Sequence, residues 1–400
     1  SGQALNDDFA PLKPVEFTLN VPTSGGGWSG TVGNSATGAS NPLSRIRKAN
    51  QFIASVPIAK LAGEVENHWV GIGRFFRALE YANFVKSFGD VPYFDQVLSE
   101  TDPLLFKKRD ARTFVMDKVL EDFTFAASNV RAQDGTNKLA VNRYVVLAYM
   151  SRVFLFEGTW LRYHKIDEAR AKTYLEASKW AAEEIIKSGQ FQVSNDYRGL
   201  FSALDLSTNS EMILFKKYDT GLLTHALMSN NNREPQSGIS KDAISSYLAA
   251  DGLPIALSAV YKGDKSVVDA LTNRDGRMQG TVVPELRFQG MISNYSSSGY
   301  SSLKFLNEQF KDDQMGTSYV NTTDAPIIRY GEVLMNYAEA AAELGTLTQA
   351  ELDKSLNVLR ARAGVNLPKL EILAGQPAVN GKVYDDPNRD ASVTSLLWEI

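Results

Sequence analysis

The segment "RFFRALEYANFVKSFGDVPYFD", residues 74–95, decides the fold. At about 100° per residue its first fifteen residues place Phe75, Leu79, Ala82, Ala78, Val85, Tyr81, Phe88 and Phe84 over more than half the circumference of a helix. Asn83, Ser87 and Glu80 share the remaining arc with Phe76. A surface helix shows a narrower apolar stripe, so this one is expected to be covered on two sides, as inside a stack of helical hairpins. It ends at Gly89-Asp90-Val91-Pro92: glycine suits a left-handed cap, Asp90 can bond the turn, and Pro92 forbids continuation and extends Val91.

The pattern recurs. Tyr81 precedes Gly89 by eight residues, Tyr337 precedes Gly345 by eight, Tyr149 precedes Gly158 by nine and Trp180 precedes Gly189 by nine. Arg77, Arg143 and Arg329 lie upstream of three of these aromatics. The spacing predicts four helices of an irregular tetratricopeptide-like array in a mostly α protein, each ending at its glycine. Helical patterning covers 43–189 and 326–400. Residues 1–42 and 200–325 are polar and rich in Gly, Ser and Asn, and read as loop-rich connecting structure.

Composition narrows the function. The chain is 44% hydrophobic, enough for a substantial core, and its net charge of -4 comes from 42 basic and 46 acidic residues without a basic stripe for nucleic acid. It has no Cys, which removes thiolate chemistry and disulfides, and three His at unrelated spacings, which make a poor metal set. No run of about 18 apolar residues suggests a membrane-spanning helix, and the first residues lack the pattern of a signal peptide. Both ends read as interrupted segments, so the chain is expected to be part of a longer protein.

Several segments, in order, resemble the SusD/RagB family of outer-membrane nutrient-binding lipoproteins of Bacteroidetes. They are "NPLSRIRKANQFI" (41–53), the opening segment, "RTFVMDKVLEDFTFAASNV" (112–130), "VNRYVVLAYMSRVFLFEGTWLRYH" (141–164) and "ASKWAAEEIIKSGQFQV" (177–193). "LAADGLPI" (248–255), "NRDGRM" (273–278), "APIIRYGEVLMNYAEAAAELG" (325–345) and "LNVLRARAGV" (356–365) complete the set. The resemblance implies one SusD-like domain over 1–400, with 43–189 and 326–400 as scaffold and 1–42 and 200–325 as the variable part. It implies a cell-surface protein that binds oligosaccharides and passes them to a SusC-like TonB-dependent transporter. It also implies a lipid anchor in the outer membrane on a segment absent here. Gly276 stands where the family pattern has Pro.

Sugar binding asks for aromatic faces and polar side chains on loops held by a rigid scaffold. Trp28, in "GGGWSG" with Asn34 nearby, is the first candidate; it either stacks on a ligand or pins its own loop. Tyr295 and Tyr300, beside Asn294 in "SNYSSSGY", are the second. Trp160, Tyr163 and His164 follow a long helix and favour packing, as does Trp180; Trp69 and Trp398 read as core or interface. A glycosidase needs two carboxylates about 5 to 9.5 Å apart across a cleft. Glu339 and Glu343 share a helix face but lie beside an alanine run that favours a solvated or ion-paired role. Asp385, Asp386 and Asp390 in "YDDPNRD" could ligate a structural Ca²⁺ but lack the spacing of a known loop. No cofactor is expected. The expectation is therefore a non-enzymatic glycan-binding protein, with a peptide-binding member of the same family and a protein-interaction scaffold as alternatives.

Overall fold

The computed structural model describes residues 8–11, 42–133, 135, 138–233, 237–286 and 296–400. The chain divides into one unit over 21–185 and another over 1–20 and 186–400. The protein is mostly α, with helical hairpins as expected.

In the first unit α1 (Pro42–Ser55), α2 (Gly63–Phe88), α3 (Arg112–Asn129), α4 (Arg143–Tyr163) and the body of α5 (Glu168–Ser188) follow one another. The opening segment is the second half of α2, which packs on α1 and on α3. Its wide apolar arc is thereby covered twice. Phe75, Ala78, Tyr81, Ala82, Phe84 and Val85 are buried, while Phe76, on the polar arc, stays exposed. Two glycines allow the close approach: a Cβ at Gly73 would lie 2.6 Å from Ile53 of α1, and one at Gly71 2.9 Å from Val130 just beyond α3. Buried rings then run from helix to helix. Phe75 of α2 meets Phe123 of α3 at 6.0 Å, Phe123 meets Phe154 of α4 at 5.9 Å, and Phe154 meets Tyr174 of α5 at 5.3 Å. Such pairs add about 0.5–1.5 kcal/mol each beyond the area they bury.

Polar side chains fix the register of this stack. The Arg77 guanidinium donates to both oxygens of Asp122 (2.7 and 2.8 Å), to Asn50 Oδ1 (3.0 Å) and to the Asp95 carbonyl (3.2 Å). Asn50 Nδ2 in turn donates to the Phe94 and Gln96 carbonyls, and Tyr81 Oη to the Phe94 carbonyl. Gly89 adopts φ +70° and its N–H closes on Val85. Asp90 accepts not from its own turn but from the Arg112 N–H (2.9 Å), at the first turn of α3. Val91 and Asp110 exchange backbone hydrogen bonds across the intervening loop. Farther along, Arg112 forks onto Glu157 of α4 (2.6 and 2.7 Å).

Gly89, Gly189 and Gly345 close their helices with φ between +62° and +70°. Gly158 does not. It lies inside α4, where a Cβ would meet Leu175 at 2.7 Å and the Ala171 carbonyl at 3.1 Å. Its role is close packing of α4 on α5, and Trp160 belongs to the last turn of α4 rather than to a following loop. Trp69, Trp180 and Trp398 are about two-fifths exposed, so none is a core residue.

The second unit is built from short elements. They are β1 (Phe9–Pro11), β2 (Met212–Lys216), α6 (Leu227–Arg233), β3 (Ser237–Ile239), α7 (Lys241–Ser246), α8 (Val267–Leu271), α9 (Gly276–Gln279), α10 (Gln314–Thr317) and β4 (Ala325–Arg329). After them come α11 (Tyr330–Glu343), α12 (Gln349–Asp353), α13 (Leu356–Arg360), β5 (Glu371–Leu373), β6 (Gln376–Val379), β7 (Lys382–Val383) and α14 (Ser395–Glu399). β1 pairs antiparallel with β3, β2 with β4, and β5-β6-β7 form a meander. Glu211, fully buried before β2, accepts from Arg329 (2.8 Å) and Arg362 (2.7 Å), joining β2, β4 and the turn after α13. α14 packs on α11 and β6 and carries the Glu399 carboxylate inward, 3.7 Å from Arg360.

Three outcomes are expected. Arg77→Ala leaves Asp122 buried without its counter-ion and should cost about 3–5 kcal/mol in urea denaturation, whereas the double change Arg77→Met with Asp122→Leu should recover part of the loss. A Cβ at Gly276 would fall 1.6 Å from the Gly364 carbonyl oxygen, so Gly276→Ala should lose at least about 1–3 kcal/mol by the same measurement. Burial pushes the Glu399 carboxyl up from 4.5 to about 7, against the opposing effects of Tyr384 and Arg360. The folded chain therefore holds that proton more tightly than the unfolded chain, and this contribution to stability, present below about pH 4.5, is lost as pH rises to about 7. Glu399→Gln should gain stability relative to the unmodified protein between pH 5 and pH 8; a pH-independent difference refutes the assignment.

Candidate functional site

Of the residues singled out for ligand contact, Trp28, Asn34, Asn294 and Tyr295 lie outside the described residues. Tyr300 is described, and its ring is partly buried against Ile239, Ile244, Leu271, Met278 and Val282. Two of those residues, Leu271 and Val282, also line a groove of about 550 Å³ together with Val268, Thr272, Asn273, Gln279 and Pro284. Tyr300 thus backs the groove wall.

Local chemistry sets the groove's geometry. Ser266 caps α8 by accepting from the Asp269 N–H (3.1 Å), and Thr272 ends that helix. Asn273 follows at φ +54°, a left-handed conformation that Asn tolerates better than most residues. Its Nδ2 donates to the Val260 carbonyl (3.0 Å). Arg274 then turns inward and spends its guanidinium on the carbonyls of Ile244, Tyr247, Leu248 and Ala270. Asp275 caps α9 by accepting from the Arg277 N–H (2.9 Å) and also holds the Arg277 side chain. α9 carries Gln279 to the rim.

The segment "NRDGRM" is thereby fixed against two others of the sequence set. Ala249 of "LAADGLPI" bridges Arg274, with Ala250 N–H on the Asn273 carbonyl (2.8 Å) and Asp275 N–H on the Leu248 carbonyl (2.9 Å). Arg360 of "LNVLRARAGV" donates to the Gly252 carbonyl (3.1 Å) and to the Pro368 carbonyl (2.6 Å). Gly276, where the resemblance led to Pro, stands against the Gly364 carbonyl with no room for a Cβ. These segments are framework; the rim residues Thr272, Asn273 and Gln279 are what they present. Sequence reasoning missed all three, although an Asn between a helix end and a buried Arg is a local signal for left-handed backbone.

The other candidates are placed elsewhere. Trp160 stacks between neighbours of its own helix, on His164 at 3.9 Å and on Phe156 at 5.8 Å, with the Arg112 guanidinium 4.6 Å from its ring. Tyr163 is exposed at the end of that helix. Glu339 and Glu343 sit on α11, where burial and then the Glu343 charge hold the Glu339 carboxyl above its usual range; neither lines the groove. Asp385 forks with Arg389, Asp386 accepts from the Asn388 N–H and Trp398 Nε1, and Asp390 accepts from Ser392. The three carboxylates are thus engaged separately, and no group of three or more His, Asp or Glu is placed to hold a metal among the described residues. Among those residues no helix is long and apolar enough to cross a membrane.

Residues 227–378 match the model of the SusD family. No curated protein sequence matches the chain. Among solved structures, a SusD-like carbohydrate-binding protein from Bacteroides fragilis is similar, at 19% identity and a TM-score of 0.73 over 93% of this chain and 74% of that one. A protein solved with xylogluco-oligosaccharide gives 18% identity and a TM-score of 0.59 over 92% and 71%. A laminarin-binding SusD-like protein gives 17% and 0.55 over 82% and 70%. At these identities the structures speak for the fold, and the family match covers the segments that build the groove. Taken together, residues 227–378 are similar to the SusD family, and the fold of the chain is similar to that of SusD-like proteins.

Proposed function

We propose that the protein captures oligosaccharides without catalysis and passes them to a SusC-like TonB-dependent transporter, while held at the outer-membrane surface by a lipid on a segment outside this chain. The observation that carries the binding part is the groove, lined by the hydroxyl and amide side chains of Thr272, Asn273 and Gln279 and by the apolar Val268, Leu271, Val282 and Pro284. That pairing suits a ligand with C–H faces and many hydroxyls. The names of three structural neighbours, which mention carbohydrate, laminarin and a xylogluco-oligosaccharide, support the same class of ligand. The non-catalytic part is supported by the described lining residues, among which no pair of carboxylates stands to share acid and base roles. Trp28 is the proposed aromatic contact from the loop-rich start of the chain, with Asn34, Asn294, Tyr295 and Tyr300 as further proposed contacts.

Calorimetric titration against plant, host and microbial oligosaccharides, with peptides as a parallel panel, tests this. At least one glycan should bind and be recovered intact, and Trp28→Ala should weaken that binding by up to about tenfold, the value of a good aromatic contact. Binding of peptides without any sugar overturns the ligand class, and turnover of a bound glycan overturns the non-catalytic role.

A further inference from the structure

We infer that the groove over Val268–Pro284 selects neutral, hydroxyl-bearing sugars and rejects acidic ones, such as uronates or sulfated saccharides. The inference rests on the glycan-capture reading and adds to it the charge class of the ligand and the side chains that enforce it.

The first ground is charge. None of the seven lining residues is ionisable. Four charged groups close by in sequence are engaged elsewhere. Arg274 is buried and its guanidinium is spent on four backbone carbonyls. Arg277 forks onto Asp275 (3.0 and 3.1 Å). Lys241 pairs with Asp264 at 2.8 Å, and Asp269 accepts from Ser266 Oγ at 2.8 Å. An acidic sugar entering the groove would shed water from its carboxylate and meet no cation among the described lining residues, a cost that grows with every apolar atom around it.

The second ground is hydrogen-bond polarity. Thr272 Oγ1 donates its only proton to the Val268 carbonyl (2.6 Å), which leaves its oxygen as an acceptor. Asn273 commits Nδ2 to the Val260 carbonyl, which leaves Oδ1 as an acceptor. Gln279 is exposed and bonded to no described side chain, and it supplies one amide oxygen and one NH₂. The rim side chains therefore offer three acceptor oxygens, the second N–H of Asn273 and the NH₂ of Gln279, and Thr272 can only accept. A sugar hydroxyl, which donates and accepts, satisfies that set. A carboxylate or sulfate, which only accepts, faces oxygen against oxygen at Thr272 and has to compete for the few amide N–H groups of Asn273 and Gln279.

Matched pairs decide it. The intact protein is titrated with neutral gluco- and galacto-oligosaccharides and with uronate oligosaccharides of the same length. The neutral member should bind at least about tenfold tighter. Asn273→Gly keeps the left-handed backbone, removes Oδ1, and should weaken neutral binding several-fold at unchanged thermal stability. Gln279→Lys, which adds donors and a positive charge, should narrow the gap between the two members several-fold. Equal or tighter binding of the uronate to the unmodified protein overturns the selectivity. Unchanged affinities in both variants place the selecting contacts elsewhere and overturn the assignment to this groove. If no saccharide of either kind binds, it is the glycan-capture reading itself that has failed.

Discussion

One guanidinium organises the first helical unit. Arg77 sits on a helix with a wide apolar arc, yet its head group is out of water and answered from three directions: by Asp122 on α3, by Asn50 on α1 and by the Asp95 carbonyl in the loop after α2. A buried ion pair contributes little net stability against an apolar substitute of the same shape, because desolvation offsets most of the attraction. Its value here is directional. Leu and Ala surfaces would tolerate α1 and α3 at several rotations about α2, whereas a forked guanidinium tolerates one. The same arrangement holds the 94–98 loop against the hairpin through Asn50 and Tyr81, so the chain can leave the repeat and return to it at a fixed place.

The second unit repeats the device with backbone oxygens in place of carboxylates. Arg274 holds carbonyls at the ends of α7 and α8, Arg360 holds those of Gly252 and Pro368, and Arg362 combines a carbonyl with Glu211. A region built mostly from elements of two to seven residues leaves many carbonyls unpaired, and each costs free energy when buried. Arginine, with five donors in a rigid fork, can answer several at once. The charges conspicuous in the sequence segments "NRDGRM" and "LNVLRARAGV" are therefore internal fittings.

Much of the scaffold could be read from the sequence, because a helix covered on two sides leaves a mark on every residue it contains. The apolar arc of α2, its stop at Gly89 and the caps at Gly189 and Gly345 follow from periodicity and from the one residue without a Cβ. Gly158 misled for an instructive reason. A glycine that ends a helix and a glycine that lets two helices touch look alike in one dimension, and only Leu175 and Ala171 across the contact distinguish them. The groove was not legible at all. Thr272, Asn273 and Gln279 are ordinary surface residues by type, and their joint orientation depends on contacts made with Val260 and residues 248–250. Tyr300, singled out as a loop aromatic, packs against the apolar cluster that includes Leu271 and Val282.

The contact between Gly276 and the Gly364 carbonyl has a thermodynamic consequence for whatever enters that groove. Backbone meets backbone there without an intervening side chain, so α9 has no rotamer to adjust and little freedom to rock. Gln279, less than one turn later, is therefore carried on a platform whose conformational entropy was surrendered during folding. A ligand then orders only the glutamine side chain, a cost of about 0.5–1.5 kcal/mol, and not the segment beneath it. Preorganisation of this kind lets a shallow polar rim discriminate between partners while making few contacts with any of them.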